Sequence, residues 1–492
     1  MSVGERIRRA RAGAGILLLL CLAASLAAAP AAAQGGASGE EEDDWGGAIN
    51  LGQDTGDDAG DDWGGGLGID VEEDAGDAGG PRRSFWSLDG FLRLDTAYAY
   101  QQQEPVGDGP DYRGLSKLRG TVQLELNLDF GHRWSALISG QASHDAAYGL
   151  KERDRFTDEV LDRYEQEAEF RETYVRGTLL DDLDLKVGRQ IVVWGYADQL
   201  RVVDVLNPLD NREPGLVDIE DLRLPLTMTR VSYYLGDWSL NAVAVHEIRF
   251  NKDPVYNSEF FPFSQPLPEE EIPPDGGENT EYGLWAQAVL SGWDIAFYWA
   301  RIFDDTPHVE VELEGFVPKP RLVHSRLTML GSAVRVALGN WLIKGEVARI
   351  DGLEFAALPD ETRSRWDVLG GLEYSGIRDT TITLEALNRH IVDFDDVLEG
   401  GYDNALENVN QYALSYRGDF LNQTLHAVAV WLAFGETGNR GTVQRYSLTY
   451  DVIDALAVTG GVLVFQSGDK ANFLLDHGQD SDRVFADVKY SF

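Results

Sequence analysis

From Leu88 onward, apolar and polar side chains alternate along the chain in runs of about ten residues. The clearest run covers residues 121–130, where polar residues alternate with Val122, Leu124, Leu126, Leu128 and Phe130. Because successive side chains of a β-strand point to opposite faces, this period of two predicts strands with one apolar face. A second run, at 134–143, follows after a joint of three residues, which predicts an antiparallel hairpin.

Short and long connections alternate along the remainder of the chain. Short joints fall near residues 131–133, 180–183, 236–238, 291–293, 338–340, 375–379, 418–422 and 451–454. Longer polar segments lie at 101–116, 145–166, 195–225, 250–280, 304–324, 351–365, 391–408, 435–441 and 467–481. Eight short joints and nine long ones predict an all-β, transmembrane antiparallel β-barrel of about 18 strands, with short periplasmic turns and long external loops.

The C-terminal residues end this pattern with a strand that has one apolar face. That face carries Val484, Ala486, Val488, Tyr490 and Phe492. The segment resembles the closing strand of bacterial outer-membrane β-barrels, which implies that Tyr490 and Phe492 are the signal read by the barrel insertion machinery. An edge strand of a soluble sheet is the alternative interpretation.

The N-terminus predicts export of the chain. Residues 1–33 have the basic start, the apolar stretch and the small-residue end of a signal peptide, and the only cysteine, Cys21, lies within that stretch. Residues 34–84 are rich in Gly, Asp and Glu, so we expect a disordered acidic segment in the periplasm, with docking to a partner as the alternative. Residues 85–492 are left for the barrel, which is expected in the outer membrane of a Gram-negative bacterium.

Composition narrows the function. The formal charge of −41 argues against nucleic acid as a partner. The 53 glycines and 51 aromatic residues (12 Trp, 19 Tyr and 20 Phe) fit a barrel with tight turns and interfacial aromatic girdles. Without a cysteine after the signal peptide, the mature protein has no thiolate chemistry, and no cofactor or metal is predicted.

Charged residues occur on the polar faces of several predicted strands. A charged side chain that faces lipid at mid-depth costs about 2–4 kcal/mol for Arg or Lys, so we expect these residues to face the lumen. The lumen candidates are Arg119, Glu125, Glu172, Arg176, Lys186, Lys344, Glu346, Glu385 and Arg389. They could contact a permeating solute or form salt bridges that only hold the shape of the barrel.

The segment from Leu185 to Pro225 is too apolar for a solvated loop. Apolar loop residues must be buried, and within a barrel the lumen is the place available to them. The sequence therefore predicts a loop at 195–225 that folds inward and narrows the pore. The pore-loop candidates are Gly188, Arg189, Gln190, Trp194, Gly195, Asp198, Asp204, Asn207, Pro208 and Asp210.

The same segment carries a family resemblance. Its Gly-Arg-Gln, Trp-Gly and Asn-Pro-x-Asp elements resemble a group of proteobacterial outer-membrane proteins that is related in plan to alginate-export porins. The resemblance implies an outer-membrane channel, and a link to RND-type exporters through some of its members. A polyanion exporter fits less well, because basic and acidic lumen candidates are about equally common. The motif residues could also serve only to turn the chain and cap a short helix.

The external loops carry clusters of carboxylates, at Glu269-Glu270-Glu271 and between Asp393 and Asp403. We expect them to be solvated, and sharing of divalent cations near lipopolysaccharide is the alternative. The sequence predicts that the protein is not an enzyme, since nucleophile-elbow, zinc-protease and phosphate-loop motifs are absent. A barrel hydrolase that uses His144, His246 or His390 is the weakest of three hypotheses. The leading hypothesis is a passive or gated porin-like channel, and the second is a non-conducting barrel that serves an export system.

Overall fold

The structure is a computed structural model that describes residues 85–102, 109–131, 133–216, 222–314, 317–400, 402–470, 475 and 481–492. The predicted signal peptide and acidic segment lie outside these residues. Eighteen of the described strands form one sheet. In chain order they are β1 (Trp86–Ala99), β2 (Gly114–Gly131), β3 (Trp134–Asp145), β4 (Gln166–Leu180), β5 (Leu183–Gln190), β6 (Leu226–Leu235), β7 (Trp238–Val245), β9 (Glu281–Leu290), β10 (Trp293–Phe303), β13 (Arg326–Leu338), β14 (Trp341–Phe355), β15 (Leu358–Ile377), β16 (Thr380–Ile391), β17 (Asn408–Phe420), β18 (Leu425–Phe434), β19 (Thr442–Ile453), β20 (Leu456–Gln466) and β21 (Arg483–Ser491).

The sheet closes on itself. Each of these strands pairs antiparallel with the next, and β21 pairs antiparallel with β1, with Phe91 opposite Ser491 and Ala99 opposite Arg483. The backbones of Gly90 and Phe492 exchange two hydrogen bonds of 2.9 Å at the seam. Closure leaves no edge of this 18-stranded sheet unpaired, and this confirms the predicted 18-stranded antiparallel barrel.

Short turns gather at one end of the barrel and long connections at the other, as the sequence predicts. The segment at 351–365 differs from the prediction, because β14 and β15 continue through it and meet at a turn of two residues, Ala356 and Ala357. A bulge at Gly352, whose φ is +103°, bends the extended hairpin. The physical reason is that residues of this polar segment still alternate between the two faces of a strand. β14 and β15 can therefore stay hydrogen-bonded to each other beyond the barrel wall.

The long connections contain the remaining described elements. Strands β8 (Glu269–Glu271), β11 (His308–Glu314) and β12 (Val317–Val323) form a small separate sheet. Helices α1 (Ala147–Leu150) and α2 (Asp158–Tyr164) lie between β3 and β4, and Thr157 caps α2 by accepting the Val160 N–H. Within the described part of the chain, no helix has the length and apolarity needed to cross a membrane.

The two faces of the wall differ as predicted for a barrel in lipid. The outward face exposes apolar side chains such as Leu372, Leu384 and Leu414. The inward face buries charged residues, including Lys344 and Glu385. Their inward position follows from the period-two pattern of the sequence. The inward face of β6 to β20 also carries a large apolar cluster. The loop residues in this cluster were expected inside the lumen, whereas the apolar residues of the wall were not predicted, and they pack against the loop that fills this part of the lumen.

Candidate functional site

The candidate site is the loop of residues 191–225, called the lumen loop below, which connects β5 to β6 and is described at 191–216 and 222–225. Asn207 holds its two ends together. Its Oδ1 accepts the Val192 N–H at 2.8 Å, and its Nδ2 donates to the Leu224 carbonyl at 2.9 Å. Asn207 is fully buried, so a side chain that both donates and accepts satisfies backbone groups that water cannot reach.

The turn at Trp194-Gly195 sends the loop into the barrel. Gly195 has a φ of +92°, a conformation that favours glycine, and its N–H donates to the Tyr298 hydroxyl at 3.2 Å. The Trp194 ring packs against Tyr298 at 5.0 Å and against Trp285 at 5.4 Å, measured between ring centroids. The turn therefore aims a buried aromatic side chain at the inner wall formed by β9 and β10.

Glycine on the wall makes room for these side chains. A Cβ added at Gly283 of β9 would lie 2.9 Å from the Trp194 ring. A Cβ added at Gly331 of β13 would lie 2.7 Å from a methyl group of Val203. The wall therefore lacks side chains at two points where the lumen loop rests against it.

Two carboxylates of the wall hold the backbone of the loop. Glu346 of β14 accepts the N–H groups of Tyr196 at 2.5 Å, Ala197 at 2.9 Å and Val203 at 3.4 Å. Glu385 of β16 accepts the N–H groups of residues 198, 199 and 200 at 2.6, 2.9 and 3.1 Å. Each carboxyl group thus satisfies three N–H groups of a buried, irregular segment that water cannot reach.

These contacts carry the loop across the barrel. Glu385 belongs to β16, which is the eighth barrel strand after β5 in a ring of 18 and therefore lies nearly opposite β5. Lys344 of β14 completes the attachment, with its Nζ 2.5 Å from Asp198 and 3.0 Å from Glu373. The first half of the lumen loop, residues 191–207, spans the lumen between opposite walls.

The second half, residues 208–216, is attached by ion pairs to the wall of β2 and β4. Glu213 contacts Lys117 at 3.0 Å and Arg119 at 2.7 Å, and Arg212 contacts Glu167 at 2.8 Å. Burial alone would raise the pKa of Glu213, but the cationic groups of Arg119 and Lys117 outweigh it and lower that pKa below its ordinary value. Glu213 is therefore ionised at neutral pH.

A third ion-pair group lies between the two halves. The Asp204 carboxylate is 3.1 Å from both Arg201 and Arg223 and accepts the Trp194 N–H at 3.3 Å. Burial raises the pKa of Asp204, but the two guanidinium groups outweigh it and keep that pKa below its ordinary range. Asp204 thus ties the Trp-Gly turn to the returning chain.

A second connection, between β7 and β9, also turns inward, which the sequence analysis missed. Its Glu259 pairs with Arg483 of β21 at 3.1 Å, and its Phe260 ring lies 5.9 Å from Phe465 of β20. Phe260 and Phe261 are both buried. The aromatic run at 260–263 inside a polar segment was the available signal, and it was outweighed by the surrounding Pro, Glu and Ser residues.

The predicted pore-loop residues occupy different places. Trp194, Gly195, Asp198, Asp204, Asn207, Pro208 and Asp210 belong to the lumen loop, and Gln190 stands at its base. A Cβ at Gly188 would lie 2.4 Å from the Thr173 carbonyl, so this glycine allows close approach of β4. Arg189 does not face the loop, because it shares the outward face of β5 with exposed Val187 and pairs with Glu247 at 3.0 Å.

The nine lumen candidates divide into two groups. Six contact the lumen loop: Arg119, Glu172, Lys344, Glu346, Glu385 and Arg389. The other three contact neighbouring wall residues: Glu125, Arg176 and Lys186. The strand pattern of the sequence predicted the face on which these nine charged residues lie, but not their partners.

At the closing strand, Tyr490 and Phe492 both lie on the outward face and are 41% and 39% exposed.

These features define a closed β-barrel of the outer-membrane porin type, with a long loop folded into its lumen. The chain belongs to a protein family of unknown function, DUF1302, whose model matches residues 14–492. A comparison with curated proteins found no match. The predicted kinship with alginate-export porins stays a prediction.

Solved porin structures share the fold at low sequence identity. Acinetobacter baumannii OccAB3 is 11% identical with a TM-score of 0.50, over 83% of this chain and 99% of that chain. A BenF-like porin from Pseudomonas fluorescens Pf-5 is 10% identical with a TM-score of 0.50, over 83% and 98%. Pseudomonas aeruginosa OccK9 is 13% identical with a TM-score of 0.50, over 83% and 98%. At this identity the likeness concerns the fold alone.

Proposed function

We propose that the protein is an outer-membrane channel whose lumen loop narrows the path of solutes. The observation that carries this proposal is the pair of wall carboxylates, Glu346 and Glu385, which accept six backbone N–H groups of the loop. A loop held in this way at the far wall reduces the cross-section available to a solute. The Trp194 contacts support the same position of the loop.

A space that remains beside the loop is lined by charges of both signs. A small cavity of about 60 Å³ lies between the second half of the loop and β1 to β4, and its lining includes Arg93, Asp95, Arg171 and Glu169. Alternating charges favour small hydrated or amphoteric solutes over polyanions, because an anion conduit needs an excess of basic groups.

Shortening the loop tests the proposal. Deletion of residues within 198–222 should raise single-channel conductance in planar bilayers markedly, since the narrowest section limits the current. Shortening the external connection at 435–441 by a few residues serves as the control and should leave conductance unchanged. Unchanged conductance after loop deletion, together with protease cleavage near Arg212 in intact cells, would show that the loop lies outside the pore.

A specific observation also supports the alternative, a non-conducting barrel that acts as a structural or partner subunit of an export system. Loop residues such as Val203 and Leu206 join wall residues such as Met228 and Met329 in one apolar cluster. A lumen closed by such packing would pass no current in the native state. Absence of current from the native protein would favour this alternative.

Location and partners follow from the same proposal. We place the barrel in the outer membrane, in contact with lipid and lipopolysaccharide, with residues 34–84 on the periplasmic side. Tyr490 and Phe492 are the proposed signal for the insertion machinery, and an RND-type exporter is the proposed periplasmic partner. Co-purification of the exporter with the full chain, and its loss when 34–84 is deleted, would test that partnership.

A further inference from the structure

A second feature of the lumen is a cavity of about 300 Å³ between the first half of the lumen loop and the wall of β10 to β18. We call it the outer chamber. Its apolar lining includes Leu200, Val202, Ile302, Ile350 and Leu432. Since small-molecule sites are mostly apolar cavities of about 300–1,000 Å³ with a few placed polar groups, the outer chamber has the size and lining of such a site.

The basic groups of the outer chamber already have internal partners. Arg365 donates two hydrogen bonds to Asp367, at 2.7 and 2.9 Å. Arg389 lies 3.5 Å from the same carboxylate and donates to the Arg201 carbonyl at 3.0 Å. Arg201 contacts Asp204 at 3.1 Å and donates to the Asn207 carbonyl at 3.0 Å. An anionic ligand would have to compete with these contacts.

One carboxyl group of the outer chamber differs from these basic groups in its contacts. Asp305, in the connection between β10 and β11, lines the cavity, and it has no hydrogen bond or ion pair within the described part of the chain. Burial raises the pKa of Asp305 well above its ordinary value, Arg201 opposes this, and Glu281, Asp304 and Asp253 raise it further. A half-buried carboxyl group near other carboxyl groups is stabilised in its ionised form by a cation placed beside it.

An aromatic residue completes the lining. Phe434 borders the outer chamber and packs against the apolar cluster inside the barrel. Aromatic rings attract ammonium groups as well as apolar groups, and the attraction grows when water is excluded. The outer chamber thus combines an apolar lining with one carboxyl group that has no hydrogen bond or ion pair within the described part of the chain.

We propose that the outer chamber binds an organic ammonium ion with an apolar body, and that Asp305 is its counter-charge. The claim that such ions are a solute class of the channel rests on the proposed function. The claim that the outer chamber binds them rests on the outer chamber alone. Both can therefore be tested separately.

Calorimetry on the full chain in detergent tests the site with three probes of similar shape: 2-phenylethylammonium, 2-phenylethanol and 3-phenylpropionate. The ammonium ion should bind about tenfold more tightly than the alcohol, the ratio expected for one charge-assisted contact. The carboxylate should bind more weakly than the ammonium ion. Equal affinity for ammonium ion and alcohol, or a preference for the carboxylate, would overturn the proposal.

Asp305→Asn should abolish the preference for the ammonium ion and leave binding of the alcohol unchanged. Asp95→Asn, which alters a lumen carboxyl group paired with Arg93 outside the outer chamber, is the control and should keep the preference. Heat-modifiability on gels verifies the folding of each variant, and Asp305→Ser serves as a second charge-removing substitution. Retention of the preference in either folded Asp305 variant would overturn the assignment of the counter-charge.

The pH dependence gives an independent readout. The charged groups that face Asp305 are Arg201 from the lumen loop, Glu281 from β9, Asp304 from its own connection and Asp253 from the connection after β7. Because Asp305 must lose its proton to pair with the cation, affinity for the ammonium ion should increase as pH rises above the ordinary range of aspartate. Affinity for the alcohol should stay constant, and a parallel change for both probes would contradict the proposal.

Planar-bilayer current separates this inference from the proposed function. Current without any ammonium preference in calorimetry would retain the channel and overturn the site. An ammonium preference without current would retain the site and overturn the channel.

Discussion

The two halves of the lumen loop are attached to the barrel by different chemistry. Residues 191–207 are held mainly through their backbone by Glu346 and Glu385 and through apolar packing around Trp194, with one side-chain ion pair from Asp198 to Lys344. Residues 208–216 are held through charged side chains, chiefly Arg212 and Glu213. The side chains that hold the first half belong mainly to the wall, whereas the second half is held by side chains of both the loop and the wall.

This difference predicts that the two halves of the lumen loop respond differently to salt. Hydrogen bonds between backbone groups and a buried carboxyl group are shielded from salt, and so is apolar packing. Ion pairs that retain some exposure, such as Glu213 with Arg119, weaken as salt screens them. Substitutions in each half should therefore separate the two attachments.

The largest effect is expected from the double substitution Glu346→Gln and Glu385→Gln. Each amide replaces one acceptor oxygen with a donor, so several N–H groups between residues 196 and 203 lose their partners, at about 1–3 kcal/mol each. The first half of the loop should leave the wall and become sensitive to protease. Single-channel conductance should rise strongly and fluctuate.

Glu125→Gln is the matched control for that experiment, because Glu125 faces the lumen but contacts Gln123 and Ser139 of the wall. It should leave conductance and protease sensitivity unchanged. Equal behaviour of the double variant and this control would show that the carboxylates do not hold the loop.

A smaller effect is expected from Trp194→Ala. Removing a buried aromatic side chain costs about 3–5 kcal/mol, including the cavity that remains. Here that cost falls on the docking of the turn against Tyr298 and Trp285, while the carboxylate contacts remain. We expect a moderate rise in conductance with unstable gating, and a rise as large as that of the double variant would contradict this order.

Gly283→Val tests the same contact from the wall, with a smaller effect again. The new Cβ would lie 2.9 Å from the Trp194 ring, so the ring must shift. Overpacking of this kind costs about 1–3 kcal/mol. Gly370→Val is the control, since a Cβ at Gly370 meets no atom within 4 Å. Only the Gly283 variant should alter conductance, and equal currents would weaken the packing argument.

The smallest effect is expected from Glu213→Gln in the second half. The variant loses charge-assisted contacts with Lys117 and Arg119 but leaves the first half attached. A slight rise in conductance at low salt should vanish at high salt, where the native pair is screened as well. Since the folded-state pKa of Glu213 is lowered, its stabilisation is complete above the ordinary pKa of glutamate. It is lost only as pH falls through the lowered value, so acidification to about pH 5 should leave the contacts of Glu213 with Lys117 and Arg119 intact.

Much of the fold could be predicted from the sequence, because strand alternation and joint length are local properties. The run at 121–130 and the closing strand at Arg483–Ser491 show this directly. The inward loop could be predicted because apolar residues such as Val202 and Leu206 need burial.

The attachment of the loop could not be predicted in the same way. Glu346 and Glu385 were recognisable as lumen charges from their strand faces, but their partners are backbone N–H groups, which every residue except proline carries. Such contacts leave no signature in the sequence. The inward turn of the connection after β7 was missed because Phe260 and Phe261 stand among polar residues.

The position of the two carboxylates also constrains the order of folding. The contacts Tyr196–Glu346 and Asp198–Glu385 join residues 150 and 187 positions apart, whereas every hairpin of the barrel joins near neighbours. Contacts between distant residues form slowly, since a long segment of chain must be ordered before they stabilise anything. The lumen loop should therefore dock after most hairpins have formed. A nascent barrel with an unfilled lumen would precede the mature protein on the folding pathway.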